Sequence, residues 1–156
     1  MRSWCSWLEA TLGFCRKPPP LLDCMGSSVQ HAGLVGAGAL AKLVTNTLMG
    51  VQLTTLAEVI GMLRRQGVDP KGVLDAVAAT ALWSVHLSDD TVSMLNGNFE
   101  SHFPIKLLLK DLNYTVQTAG GDASVPTVSS VRDVFQRAVD EELEDLNMTA
   151  VAKLFS

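Results

Sequence analysis

The sequence predicts an all-α fold, and three observations predict it. Residues 36–66 form one long pattern of apolar side chains at helical spacing. Further segments of the same period follow, separated by Gly, Pro, Asp and Ser placed where one helix stops and the next starts. After residue 32 no segment alternates apolar and polar residues as a half-buried strand would.

Residues 1–19 have two tryptophans and no clean helix or strand period, and they run into Pro18, Pro19 and Pro20, so an irregular arm is expected. Residues 27–32 read as a short strand. In the long helix the apolar residues include Leu40, Leu43, Val44, Leu48, Val51, Leu56, Val59, Ile60 and Leu63. They cover more than one stripe, which predicts a helix buried on most sides. Arg64 and Arg65 place positive charge in its last turn and Gly67 ends it. Asp69 as N-cap and Pro70 at the first position open a second helix to about residue 82. Ser88, Asp89 and Asp90 are expected to cap a third, short helix that stops at Gly97. A fourth begins near Pro104 and runs to about Gly120, with Ile105, Leu108, Leu109, Leu112 and Val116 inward. "GGDASVP" is a turn, residues 126–141 are a fifth helix, and the tail holds a sixth capped by Asn147 or Asp145. High burial is expected for Leu43, Val44, Leu48, Leu56, Ile60, Leu108 and Leu112.

At 156 residues the chain has room for one domain with a real core. Its 47% hydrophobic content and mean hydropathy of +0.24 are high. Yet the longest run without formal charge, residues 24–41, carries Ser, Gln, His and glycines, so no transmembrane helix is expected. The net charge of −4 and pI near 5.2 argue against nucleic acid and anionic membranes as partners. Cys5, Cys15 and Cys24 are odd in number and confined to the first 24 residues, which does not make a disulfide framework. No CxxC or HxxxH spacing occurs, so no metal site is expected, and His31, His86 and His102 read as solvated or capping residues. Glu9 interrupts the early apolar stretch and no small-residue cleavage site follows cleanly, so no signal peptide is expected. The expected location is cytoplasmic.

The stretch "HAGLVGAGALAKLVTN", residues 31–46, raises the question of chemistry. Gly33 and Gly38 have P-loop spacing, but Ala39 and Leu40 stand where Lys and Ser/Thr are required, so that reading fails. Gly36, Gly38 and Ala41 satisfy the dinucleotide pattern GxGxxA. That loop also needs a second strand after the helix, with an acid near its end. Glu58 is at the right distance but inside a continuing helical pattern.

Lys42 stands among Ala, Leu and Val, with Thr45 and Asn46 on the same side of the helix. The plain reading is a surface lysine whose stem lies along apolar side chains. The sharper reading is a desolvated lysine whose pKa is lowered toward neutrality, suited to proton transfer. Lys110-Asp111 is a second candidate, set against a charged stripe on an amphipathic helix that also carries Lys106.

The motifs "GLVGAGALAKLVTN", "LAEVIGMLRRQGVDP", "FPIKLLLKDLNYTVQTA", "VP" and "DLNMTAV" occur in an order and spacing that resemble the β-hydroxyacid dehydrogenases. That group contains 3-hydroxyisobutyrate dehydrogenase, tartronate semialdehyde reductase and the glyoxylate/succinic semialdehyde reductases. The likeness spans about residues 20–154. It implies the helical C-terminal domain of the 6-phosphogluconate dehydrogenase-like type, built on a long central helix. Residues 20–33 would be a remnant of the last Rossmann strand and residues 34–156 the substrate and dimerisation domain.

The resemblance implies that Lys42 is the catalytic general acid/base, that Asn46 orients the substrate, and that Lys110 reaches the cofactor. It implies NAD or NADP as cofactor, a small hydroxyacid or semialdehyde as substrate, and a homo-oligomer. Thr45 stands where many members have a second asparagine. "VDEELEDLNMT" replaces the usual GxGDxDxS. The Rossmann domain with its GxGxMG loop does not appear, and a truncated or frame-shifted reading of a longer gene is one expectation. The functional expectation is a catalytic-lysine domain inactive alone, the alternative a non-catalytic helical oligomerisation module.

Overall fold

The computed structural model describes residues 5–9 and 28–156. The chain divides into two compact units, residues 1–45 and 46–156, and the division falls within the first helix.

In the first unit, β1 (Cys5–Glu9) pairs in parallel with β2 (Ser28–Gly33). The register runs from Cys5 opposite Ser28 to Leu8 opposite His31, with an irregularity between Leu8 and Glu9. The short strand expected at 27–32 is therefore present. The irregular arm expected over residues 1–19 is corrected at Cys5–Glu9. A parallel ladder there satisfies backbone groups that an isolated segment leaves to water, and local sequence period does not reveal such pairing. The rest of the arm, and residues 20–27 of the expected Rossmann remnant, lie outside the described residues.

α1 spans Ala37–Arg65, followed by α2 (Pro70–Ala78), α3 (Val85–Asn96), α4 (Ile105–Thr118) and α5 (Pro126–Asp140). A short 3₁₀ turn covers Asp122–Ser124 and a longer 3₁₀ segment covers Met148–Phe155. No strand follows residue 33 among the described residues, so the all-α class holds.

Within residues 46–156 one core joins Leu53, Leu56, Ala57 and Ile60 of α1 to Leu74, Met94, Ile105, Leu108, Leu112, Phe135 and Val151. Burial of each such side chain is worth about 1.5–3 kcal/mol. Two glycines let α1 come close to its neighbours. A Cβ on Gly50 would touch Leu112 and Val131 at 3.4–3.5 Å. A Cβ on Gly61 would collide with the Phe155 carbonyl oxygen, so the 3₁₀ segment is seated on α1 at that point.

Several local expectations are corrected. α2 stops at Ala78 rather than near 82, where the Thr80 hydroxyl donates to the Val77 carbonyl at 2.8 Å and the last turn closes. α3 starts at Val85, and its cap is Ser84, whose Oγ accepts from the Leu87 N–H at 3.2 Å. Ser88 instead accepts from the Trp83 indole at 2.9 Å. Asn147 does precede the tail segment, which is 3₁₀ rather than α. Its side chain caps no helix there. Its Oδ1 accepts from the N–H groups of His102 and Phe103, and its Nδ2 donates to Thr149.

Leu56, Ile60, Leu108 and Leu112 are buried as expected. Leu43 is only half-buried, and Val44 and Leu48 are 56% and 58% exposed. With Leu40, also exposed, they make an apolar stripe at four-residue spacing. α1 is therefore not buried on most sides over its first half. Helical periodicity marks an apolar face, but burial also needs an element packed upon it. By length and composition α1 is also long and apolar enough to cross a membrane, contrary to the sequence expectation. A core helix passes the same test, and its second half is the core just described.

Candidate functional site

Asn46 is nearly buried on α1, and its Nδ2 donates to Oδ2 of Asp111 on α4 at 2.6 Å. Asp111 is 3% exposed. A carboxylate only accepts, so this bond fixes which way the amide points and leaves Asn46 Oδ1 as an acceptor for another donor. One residue and one turn further on, the Thr47 and Thr115 hydroxyls are 2.8 Å apart, and Thr115 also donates to the Asp111 carbonyl. Two polar links thus join α1 to α4 above the apolar core.

The other Asp111 oxygen, Oδ1, lies 3.5 Å from the Lys110 amine. Lys110 itself is half-exposed, and its amine stands 6.0 Å from the centre of the Tyr114 ring one turn on. Asp111 therefore connects two of the residues singled out from sequence, Asn46 and Lys110. Lys42 lies on α1, one helical turn before Asn46 in sequence, and its side chain is exposed. The expected desolvated setting for Lys42 is corrected, because its side chain is exposed although Gly38 one turn earlier is buried. Thr45 donates its hydroxyl to the Ala41 carbonyl at 2.9 Å.

A second polar group flanks the site along α1. Met49 Sδ is 3.3 Å from His86 Nε2, which stands 3.8 Å from the largely buried Asp90 carboxylate. Burial pushes the Asp90 carboxyl above its usual range, and His86 opposes that shift.

Asp111 was a candidate from sequence only as the neighbour of Lys110; its role as the buried partner of Asn46 was not foreseen. The signal was present. It sits on the inward stripe of α4 between Leu108 and Leu112, where an acid is costly to bury unless paired.

Gly33 and Gly36 stand where the loop of a cofactor cradle would lie, between a strand and a helix. Both glycines have positive φ, 136° and 96°, between β2 and α1. That is the local outline of a dinucleotide loop, but no strand follows α1 among the described residues to complete the βαβ unit. The described residues do not complete the cradle for a pyrophosphate. Among the described residues there is no group of three or more His, Cys, Asp or Glu able to hold a metal ion.

Comparison with known proteins says to which class this helical chain belongs. A family model described as the NAD-binding domain of NADP-dependent 3-hydroxyisobutyrate dehydrogenase matches residues 36–155. The chain belongs to this β-hydroxyacid dehydrogenase family. It is 31% identical over 136 residues to glyoxylate/succinic semialdehyde reductase 2 of Arabidopsis thaliana, covering 86% of this chain and 38% of that one. It is 28% identical over 153 residues to 3-hydroxyisobutyrate dehydrogenase of Pseudomonas aeruginosa, covering 92% and 51%. A solved Mycobacterium tuberculosis 3-hydroxyisobutyrate dehydrogenase with L-serine superposes with a TM-score of 0.79 at 25% identity, over 94% of this chain and 53% of that one. The chain thus spans about half or less of the length of these relatives.

Proposed function

We propose that residues 34–156 are the catalytic-lysine domain of a nicotinamide-dependent 3-hydroxyacid dehydrogenase or semialdehyde reductase, and that turnover requires a dinucleotide-binding domain joined or bound to it. The observation that supports this reading is the Asn46–Asp111 bond, because it orients an amide one turn along the sequence from Lys42, at positions to which the resemblance assigns these roles. NAD or NADP, when bound, supplies or accepts a hydride at C4 of the nicotinamide. Lys42 is assigned the proton: given to the carbonyl oxygen during reduction, taken from the hydroxyl during oxidation. Asn46 Oδ1 is assigned the substrate hydroxyl or a neighbouring donor. Lys110, half-exposed and cationic, is assigned a polar contact with the cofactor. Hydride transfer needs cofactor and substrate held together, which supports a need for the second domain.

Exposure of Leu40, Val44 and Leu48 supports the further proposal that a second copy of the chain covers this face. The same stripe is what favours the alternative reading, a non-catalytic helical module that only associates. Two measurements separate the readings. The chain joined behind the dinucleotide-binding half of the Pseudomonas relative should oxidise NADPH with succinic semialdehyde or glyoxylate, and the isolated chain should not. A folded fusion that binds NADPH yet turns over neither substrate would favour the associating module.

A further inference from the structure

At the far end of α1, 18 residues and about 27 Å beyond Asn46 along the helix axis, a cavity of about 380 Å³ opens between α1, the end of α3 and the 3₁₀ segment. Its floor is apolar, formed by Met94 and Ala152, both buried. Its polar lining is Arg64, Lys153, Asn96 and Ser156. Arg64 and Lys153 face it, and no acidic side chain lines it. Lys153 is held by its amine over the Phe99 ring at 5.6 Å, and Phe99 lines the same cavity. Asn96 adds an amide able to donate.

These two cations differ from several others in the chain. Lys71, Lys106 and Arg132 each pair with a carboxylate at 2.5–2.6 Å. Among the described residues no carboxylate pairs with Arg64 or Lys153, although acids outnumber bases 16 to 12. Two cations brought to one concavity repel each other, and that repulsion is relieved by an anion between them. The volume suits a small molecule, and the apolar floor with few convergent polar groups is the usual form of such a site.

We propose that this cavity binds a small organic anion, a carboxylate carried on a compact apolar body, at a site separate from Asn46 and Asp111. Arg64 and Lys153 take the carboxylate, Arg64 offering a planar fork of donors. Phe99, Met94 and Ala152 take the apolar body.

The test is a titration of the ¹⁵N-labelled full chain, followed by amide chemical shifts, with benzoate, benzamide and inorganic phosphate as probes. Benzoate should give saturable shifts confined to Asn96, Gly97, Phe99, Lys153 and their neighbours, weakening as ionic strength rises. Benzamide, equal in shape but uncharged, and phosphate, charged but without an apolar body, should each bind at least about tenfold more weakly. Arg64→Gln and Lys153→Gln are at exposed positions, and each should lower benzoate affinity several-fold while leaving the urea midpoint unchanged. Equal binding of benzamide, tighter binding of phosphate, shifts unaltered in both variants, or no saturable shift with benzoate would overturn the proposal.

Discussion

Asn46 and Asp111, 65 residues apart in sequence, meet through a 2.6 Å hydrogen bond between two nearly buried side chains. The acid is the acceptor, and the amide is its donor from the facing helix. Removing either partner leaves the other buried and short of a bond, which costs more than the bond itself is worth. Asp111→Ala should lower unfolding stability by about 1.5–3 kcal/mol in a urea titration. A double-mutant cycle with Asn46→Ala should show a coupling of about 1–3 kcal/mol. Additive effects would mean that the two side chains do not depend on each other.

Asp90 gives the chain a dependence on pH. Burial is the larger influence on its carboxyl and pushes the pKa up from the ordinary 3.8; His86 pulls it back, and Asp89 adds to the rise. The folded chain therefore holds this proton more tightly than the unfolded one. Stability from the group is full below its unfolded pKa and is lost as pH rises through the raised folded value. Asp90→Asn should accordingly gain on the wild type as pH rises above the ordinary aspartate range, measured as the difference in urea midpoints. A pH-independent difference would contradict this.

The cap of α3 separates two serines. Ser84→Ala removes an acceptor for the Leu87 N–H and should cost about 1 kcal/mol. Ser88→Ala removes the partner of the Trp83 indole, a half-buried group that water can still reach, and a long 3.4 Å bond to the Ser84 carbonyl. It should cost less, and tryptophan fluorescence should shift in this variant. The reverse order of stability would place the cap at Ser88 after all.

A single glutamate on the exposed stripe of α1 tests association. If a second copy covers Leu40, Val44 and Leu48, light scattering at micromolar concentration should give a particle of at least twice the 16.7 kDa chain mass. Val44→Glu or Leu48→Glu should return it toward the single chain, because a charge is costly inside an apolar contact. A monodisperse monomer for the unsubstituted chain would contradict the proposal.

The helices were legible where the sequence carries both a period and its punctuation. Arg64, Arg65 and Gly67 end α1 within two residues of the expected place, and Gly97 closes α3 in the left-handed conformation that a glycine adopts most readily. The start of α3 was not, because Ser84 and Ser88 are equally good caps by residue type and only the Trp83 contact decides which hydroxyl is free to cap. Val44 and Leu48 misled because periodicity records which face is apolar and not whether anything covers it. Asn46 and Lys110 were singled out from the residue pattern and given roles by the resemblance. The bond that joins them to Asp111 was not, since a contact across 65 residues leaves no local trace. Cys5–Glu9 hid its strand for the same reason, as its ladder partner lies at Ser28–Gly33.

The central claim is that Lys42 moves the proton in a complete enzyme. It is tested most directly by kcat for NADPH oxidation in the chain joined to a dinucleotide-binding domain, with and without Lys42→Ala. The account predicts a fall of about 10²–10⁴ in kcat with an unchanged urea midpoint, since the side chain is exposed. Lys42→Arg should be similarly impaired, because a guanidinium does not release its proton near neutral pH. Near-normal turnover by the alanine variant would contradict the assignment.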